Sequence, residues 1–564
     1  MRGIQVSPGI AIGKAYLIGN KSPKVERKQI DNIEAEIERF HRAKACCMEQ
    51  IRSLCSRVTE ELGKNEAAIF EAHCLMLEDP EMISNVEAKI KAEKVNAEFA
   101  LREFTDNYLQ AFAAIKDEYL RERAADVLDV TEQIIKCLLG FETDRLAALD
   151  KEVVIVADEL KPSDVARLNR EFILGIITEK GGKTSHAAII ARSLEIPTIS
   201  GVSGITSILK GGEGIIIDGE MGIVVVSPDK KTVQEYLVKQ KEFQSLRNEM
   251  LSLKNAKSQT TDGYTLEIMA NISYSADLQR AKSYGCEGVG LYRTEFLFMD
   301  RKQAPGEEEQ FKAYQEAALQ FGDKPVIIRT LDIGGDKDVK YMGLIKEENP
   351  FLGYRAIRLL LDQIEIFKIQ LRAILRASAH GNIKLMFPMV TTVDELRQAK
   401  LILDNVKEEL KREKVKFNDL IEVGIMIETP AAAIISDKLA KEADFFSIGT
   451  NDLVQYTVAV DRGNQRVSYL YDYYDPAVLR LIKLVIENGH QEGIKVGICG
   501  EAAADPKLVP LLVGMEIDEL SMDPFSVLKV KSVLGKVSKE ETKKLVKRAI
   551  NQSTAEETKQ ILEN

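Results

Sequence analysis

VGIMIETPAAAIISDKLAKEADFFSIGTNDL, residues 423–453, decides the fold. Two short apolar runs, Val423–Thr429 and Phe445–Thr450, bracket a helix-forming stretch. Each run ends on polar or charged groups, Glu428 and Thr429 in the first and Asn451 and Asp452 after the second. Strands that are apolar along their whole length are buried on both faces, as in parallel sheets covered by helices. Eight such runs lie beyond residue 260: Leu266–Asn271, Gly288–Tyr292, Val326–Thr330, Ile383–Met389, Val423–Thr429, Phe445–Thr450, Lys495–Cys499 and Glu519–Met522. Amphipathic stretches such as Asp394–Lys411 and Ala477–Gln491 separate most of them. The pattern predicts a TIM-type (β/α)8 barrel.

Upstream the texture changes twice. From about Asp31 to Gly140 the periodicity is almost wholly helical, interrupted at Gly63 and Asp79-Pro80, which predicts a helical bundle. From Lys151 onward, β-type runs at Val153–Val156, Phe172–Thr178, Gly214–Ile217 and Gly222–Val226 surround a helix expected near His186–Leu194. Residues 1–20 read as two short strands around Pro8-Gly9 that join this unit, and residues 228–260 as a polar linker helix. The expected plan is multidomain α/β. An α/β domain (1–20 and 145–227) carries an inserted helical bundle (21–144), and the linker (228–260) leads to the barrel (261–564).

Composition narrows the class. No stretch approaches the roughly 20 apolar residues of a membrane span. A net charge of −11, with no basic stripe, argues against a nucleic-acid binder. Seven cysteines without metal-ligand spacing fit a reducing, cytoplasmic setting.

A barrel of this kind carries its chemistry at the C-terminal ends of its strands. There the sequence places Arg293, Arg329, Arg355 and Arg462 alongside Glu428 and Asp452. One arginine could be half of a structural ion pair; four together suit a small, highly anionic ligand, because guanidinium forks pair bidentately with carboxylate and phosphate oxygens. Glu428 and Asp452, on neighbouring strands, could share a hard cation such as Mg²⁺ with ligand oxygens, or serve as counter-ions to the arginines. Cys499, alone at a strand end between glycines, is either a core thiol or a proton donor at the mouth.

A second candidate site has a different grammar. In Gly181-Gly182-Lys183-Thr184-Ser185-His186-Ala187-Ala188, the glycines allow close approach to a ligand and Thr184 or Ser185 suits an N-cap. His186 is then expected at a helix N-terminus, where the dipole favours an anion and a neutral, nucleophilic imidazole. That predicts a histidine carrying a phosphoryl group; the plainer reading is a structural cap.

Together these motifs resemble one family from end to end. The segments 181–189 (GGKTSHAAI), 291–299 (LYRTEFLFM), 349–358 (NPFLGYRAIR) and 447–453 (SIGTNDL) are similar to those of the phosphoenolpyruvate–protein phosphotransferases, enzyme I of the bacterial sugar phosphotransferase system. The resemblance implies that His186 is the phosphoryl carrier. It also implies that Arg293, Arg329, Lys337, Arg355, Asn451 and Arg462 hold phosphoenolpyruvate, that Glu428 and Asp452 bind Mg²⁺, and that Cys499 protonates the leaving enolpyruvate. The helical insertion around His73 would dock the histidine-containing phosphocarrier protein HPr, and the enzyme would be a cytoplasmic homodimer joined through its barrel. Two stretches depart from the pattern, with Tyr469 where a histidine is common and Ala502 where a bulkier apolar residue is common. Nucleotide-dependent dikinases share the histidine motif, but the phosphohistidine unit here starts at the first residue and no Gly-x-x-x-x-Gly-Lys-Ser/Thr loop is present. A regulatory scaffold without activity would be expected to lose the arginines, the acids or the histidine, and this chain keeps them all.

Overall fold

The computed structural model describes residues 1–563 apart from 19–24, 62–63, 114–117, 141–150, 161–163, 165–167, 169–171, 182–187, 189–190, 192–193, 195, 300, 302, 336–338, 344–346 and 465. The chain divides into two compact units, Met1–Arg247 and Asn248–Asn564.

The first unit holds a seven-stranded sheet. Its strands are β1 (Ile4–Ser7), β2 (Ile10–Ile18), β3 (Val153–Ala157), β4 (Ile173–Thr178), β5 (Thr198–Ser200), β6 (Gly214–Asp218) and β7 (Ile223–Val226), in the order β1-β5-β4-β3-β2-β6-β7. The N-terminal strand β2 lies inside the sheet, parallel to β3 and antiparallel to β6. Between β2 and β3 come helices α1 (Ile33–Glu61), α2 (Lys64–Leu77), α3 (Pro80–Glu93), α4 (Ala97–Ala113) and α5 (Glu118–Leu138). They close over their own core of Phe40, Ile51, Phe70, Val86, Leu101 and Ile134. Asp79 caps α3, accepting a hydrogen bond from the Glu81 amide at 2.8 Å with Pro80 in the first turn, the local chemistry that makes Asp-Pro a helix start. The linker is helical over Lys230–Ser252. The helix expected near His186–Leu194 falls largely outside the described residues.

In the second unit the expected barrel is present. All eight runs are strands: β8 (Glu267–Ile272), β9 (Val289–Arg293), β10 (Val326–Arg329), β11 (Ile383–Phe387), β12 (Val423–Ile427), β13 (Phe445–Ile448), β14 (Lys495–Cys499) and β15 (Glu519–Met522). They form a closed parallel barrel in which β15 pairs with β8 and so removes both sheet edges. Side chains alternate. Ile498 and Leu520 face the helical jacket, while Leu291, Ile327, Met386, Met426, Phe445 and Cys499 form a separate cluster in the lumen. That plug closes the floor of the mouth, so the strand ends above it line a cavity and not a channel.

A candidate active site at the barrel mouth

The mouth holds a cavity of about 340 Å³ lined by Arg293, Arg329, Arg355, Asn451, Arg462, Glu428, Asp452 and Cys499. Every site residue expected on the barrel and described by the structure is thus brought to one place. Lys337, and His186 in the first unit, lie outside the described residues.

The arginines are held by acids. Arg329, at the end of β10, pairs through Nη2 with Glu295 and through Nη1 with Asp332 at 3.3 Å. Arg355 donates from Nη2 to both Asp332 carboxylate oxygens at 2.9 and 3.1 Å and from Nε at 3.3 Å. Its Nη1 reaches Tyr456 Oη at 3.3 Å and stands 3.6 Å from Asp452 Oδ1. Burial alone would lower the proton affinity of both guanidinium groups, but the neighbouring carboxylates outweigh it and raise both. Arg293 differs: burial, and then the charge of Arg329, hold it below its ordinary value. A desolvated cation short of counter-ions has most to gain from an incoming anion.

Backbone geometry sets these side chains. Gly334 (φ +108°) lets the loop after β10 press against Arg355, since a Cβ there would lie 2.5 Å from Arg355 Cβ. Met389, in a left-handed conformation at φ +57°, donates its amide to Glu428 Oε1 at 2.6 Å. Strain of that kind in a non-glycine residue clusters at sites where a group must be aimed. Gln370, buried on the helix Ile364–Ala377, accepts from the Leu331 amide at 2.9 Å and donates to Thr294 Oγ1 at 3.2 Å, tying β9 and β10 together beneath the arginines.

Glu428 and Asp452 both face the cavity, and Asp452 Oδ1 has no hydrogen-bond partner among the described residues. Burial first, then the charges of Asp452 and Asp332, push the Glu428 carboxyl well above the usual range. The four mouth arginines face four acids, Asp332, Glu428, Asp452 and Glu501, of which Glu428 is held toward its neutral form, so a polyanion would find only a small excess of positive charge. A divalent cation on the two carboxylates would add to that excess. Among the described residues no cluster of three or more His, Cys, Asp or Glu could hold a metal by itself. Two carboxylates open to the cavity fit a hard cation that would complete its shell with substrate oxygens and water. Cys499 is buried; Ser447 Oγ donates to its sulfur at 3.0 Å, and burial pushes the thiol up to about 11. At neutral pH it is an S–H group.

Sequence reasoning missed Asp332 and Glu295. Both follow directly on strands that end in an arginine, but only the fold shows that Glu295 pairs with Arg329 and that Asp332 bridges Arg329 and Arg355. His73 lies fully buried against Phe70, with Nε2 3.6 Å from Asp126 Oδ1, so it belongs to the bundle core and presents nothing to a partner.

A parallel barrel whose mouth gathers four arginines, two cation-ready carboxylates and a protonated thiol defines an enzyme acting on a small polyanion. Three family profiles match the chain: PEP-utilising enzyme, N-terminal, over residues 2–123; PEP-utilising enzyme, mobile domain, over 149–222; and PEP-utilising enzyme, PEP-binding domain, over 247–539. The phosphoenolpyruvate-protein phosphotransferase of Bacillus subtilis (strain 168) is 48% identical over 557 residues, 99% of this chain and 98% of that protein. Those of Listeria monocytogenes (serovar 1/2a, strain EGD-e) and Geobacillus stearothermophilus are each 47% identical, covering 100% and 99% of this chain and 98% and 96% of their own. The chain belongs to the phosphoenolpyruvate–protein phosphotransferase family of PEP-utilising enzymes. Among the described residues no helix is long and apolar enough to cross a membrane.

Proposed function

We propose that this enzyme moves the phosphoryl group of phosphoenolpyruvate to its own His186, releases pyruvate, and passes the group on to HPr as the first step of a sugar phosphotransferase system. One observation carries the barrel half of this reading: the convergence of Arg293, Arg329, Arg355 and Arg462 with Glu428, Asp452 and Cys499 on one small cavity. The arginines, with Asn451 and Lys337, orient the phosphate and carboxylate for in-line attack by His186. Glu428 and Asp452 would hold Mg²⁺, which when bound offsets charge on the transferring phosphoryl oxygens. Cys499 gives its proton to C3 of the enolpyruvate, a role favoured by a thiol that burial keeps protonated. The histidine half rests on the GGKTSHAAI motif at 181–189 and on the match to the mobile-domain profile.

HPr as acceptor is supported by the relatives' names, which specify a protein acceptor, and by the helical insertion α1–α5, which the barrel chemistry does not use. Dimerisation through the barrel is supported by large apolar side chains exposed on that unit, among them Leu352, Leu401 and Leu420. Work in the cytoplasm is supported by the same family membership and is consistent with free thiols. Exchange of labelled pyruvate into phosphoenolpyruvate without acceptor tests the first half-reaction. It should require Mg²⁺ and His186, and exchange by His186→Ala at the wild-type rate would overturn the proposal. Label reaching HPr only when His186 is intact tests the second half.

A further inference from the structure

If Cys499 gives its proton to enolpyruvate it becomes a thiolate, and one side chain faces the sulfur on which that charge forms. Ser447, on β13, is paired with Met426 of β12 on one side and with Gly497 of β14 on the other, so it shares the lumen face with Met426 and Cys499. Gly497 carries no side chain, and the Met426 sulfur already accepts from Arg329 Nη1 at 3.5 Å. The buried Ser447 hydroxyl donates to Cys499 Sγ at 3.0 Å. The thiol in turn donates to the Ile448 carbonyl at 3.8 Å, a long contact that does little to hold its proton. Cys499 lines the mouth cavity and Ser447 does not. The serine therefore stands behind the thiol, and the cavity lies in front of it.

We propose that Ser447 is a positioning residue that holds the Cys499 sulfur through a lone pair and stabilises the thiolate formed when the S–H proton passes to C3 of enolpyruvate. This rests on the reading of Cys499 as that acid. His186 takes the phosphoryl group, and the O–P electron pair stays on the enolate oxygen. That pair closes to the carbonyl while the C2–C3 π pair takes the thiol proton. The S–H pair stays on sulfur, and the thiol regains a proton from water once pyruvate has left. Ser447 keeps its own proton throughout; what changes is its acceptor, from a neutral thiol to a thiolate. A hydrogen bond to an ionised acceptor is about twice as strong as one between neutral groups. The contact thus strengthens as charge develops, and it lowers the barrier more than it lowers the ground state.

The surroundings of the sulfur give the hydroxyl this task. Burial disfavours the thiolate most; the Ser447 hydroxyl and then Arg329 oppose it, and Glu428 and Glu519 add to it. Arg329 is already paired with Glu295 and Asp332, so the hydroxyl is the donor with no acid of its own. Among the described residues no other group donates a hydrogen bond to this sulfur.

The test uses the full-length enzyme and a substitution of nearly equal size, Ser447→Ala, read in two assays. The first is alkylation of Cys499 by iodoacetamide at about pH 9, followed on its peptide by mass spectrometry. Well below the pH at which the buried thiol ionises, the rate follows the thiolate fraction. Loss of a hydrogen bond to a charged acceptor should lower that fraction about ten- to hundredfold. A more basic thiolate is the better nucleophile and offsets about half of this on a logarithmic scale, so alkylation should fall about three- to tenfold. The exposed Cys46, alkylated in the same sample, should be unaffected. The second assay is pyruvate formation in a single turnover with Mg²⁺. It should fall by about the same factor, with half-saturation by phosphoenolpyruvate within about twofold of wild type. In a Cys499→Ala background the serine has no thiolate to serve, so adding Ser447→Ala should cost nothing further. An unchanged rate in either assay, or a loss that persists in full without the thiol, overturns the proposal. If Cys499→Ala alone forms pyruvate at the wild-type rate, it is the reading of Cys499 that has failed, and the proposal falls with it.

Discussion

Asp332→Asn probes how much of the catalytic effect comes from aiming the arginines. The carboxylate accepts three N–H contacts from Arg355, at 2.9, 3.1 and 3.3 Å, and stands 3.3 Å from Arg329 Nη1. Asparagine keeps the shape and one acceptor but turns an amide N–H₂ toward one of the guanidinium groups. Hydrogen bonds to charged groups contribute about 1.5–3 kcal/mol each, and among the described residues Arg355 keeps Tyr456, Asp452 and the face of Phe351, so losing this fork costs about 2–3 kcal/mol of orientation. Against that, removing a negative charge from the cavity lining strengthens the attraction for an anion, by about 3 kcal/mol per unit charge if the separation is taken as about 6 Å and the effective dielectric as about 20. The two effects act on different quantities. Extra attraction is felt by bound substrate and transition state alike, and so offsets any rise in KM. Misorientation is felt in the transition state and lowers kcat. The variant should therefore keep KM for phosphoenolpyruvate within about threefold while kcat falls about 30- to 150-fold, at about 1.36 kcal/mol per tenfold. Initial rates of pyruvate release with saturating HPr and Mg²⁺ measure both, with circular dichroism to show that the barrel is intact. A raised KM with unchanged kcat would show that Asp332 serves binding alone and refute the reasoning.

Other consequences can be checked separately. Cys499→Ala should bind phosphoenolpyruvate as the wild type does by calorimetry yet form pyruvate at least about 100-fold more slowly, the lower end of general-acid contributions; lost binding would mark the thiol as structural. Lys531 donates to the carbonyls of Lys254, Ala256 and Gly285 at 3.1, 3.3 and 2.9 Å, so Lys531→Met strands several buried acceptors. It should cost about 2–4 kcal/mol in urea unfolding of the barrel, and a loss below about 1 kcal/mol would mean that water replaces the ammonium. The Glu519 carboxyl is raised in the folded state, so its contribution to stability is fully present below the ordinary carboxylate range and lost as pH rises through about 8. Melting of the wild type should therefore decline more steeply between about pH 5 and 8 than that of Glu519→Gln; parallel curves across that window would contradict a buried neutral acid.

The barrel was legible because doubly buried parallel strands are mostly apolar and recur here eight times between amphipathic helices, although the four-residue Glu519–Met522 carries that mark only at Leu520 and Met522. Strand β5 went unread, since three residues between Pro197 and Gly201 give no period to detect. The mouth residues were legible because charged groups at the end of an apolar strand have no packing explanation. Their counter-ions were not: Glu295 and Asp332 sit in the same strand ends as the arginines, and sequence order cannot say which charge meets ligand and which meets protein. Glu519 was quoted only as the start of a strand, because the space that buries it comes from Gly290 and Gly497, whose missing side chains on two other strands leave room for its carboxyl. His73 could be placed on a helix but not on a face of it, and only packing shows it turned inward.

The central claim is that His186 carries the phosphoryl group between the barrel mouth and a protein acceptor. Incubation of the full chain with labelled phosphoenolpyruvate and Mg²⁺, followed by acid-labile phosphopeptide mapping, tests it most directly. The account predicts one phosphoryl group per chain on the peptide containing His186, removed on adding HPr and absent without Mg²⁺. Label on another residue, or label that persists in His186→Ala, would contradict it.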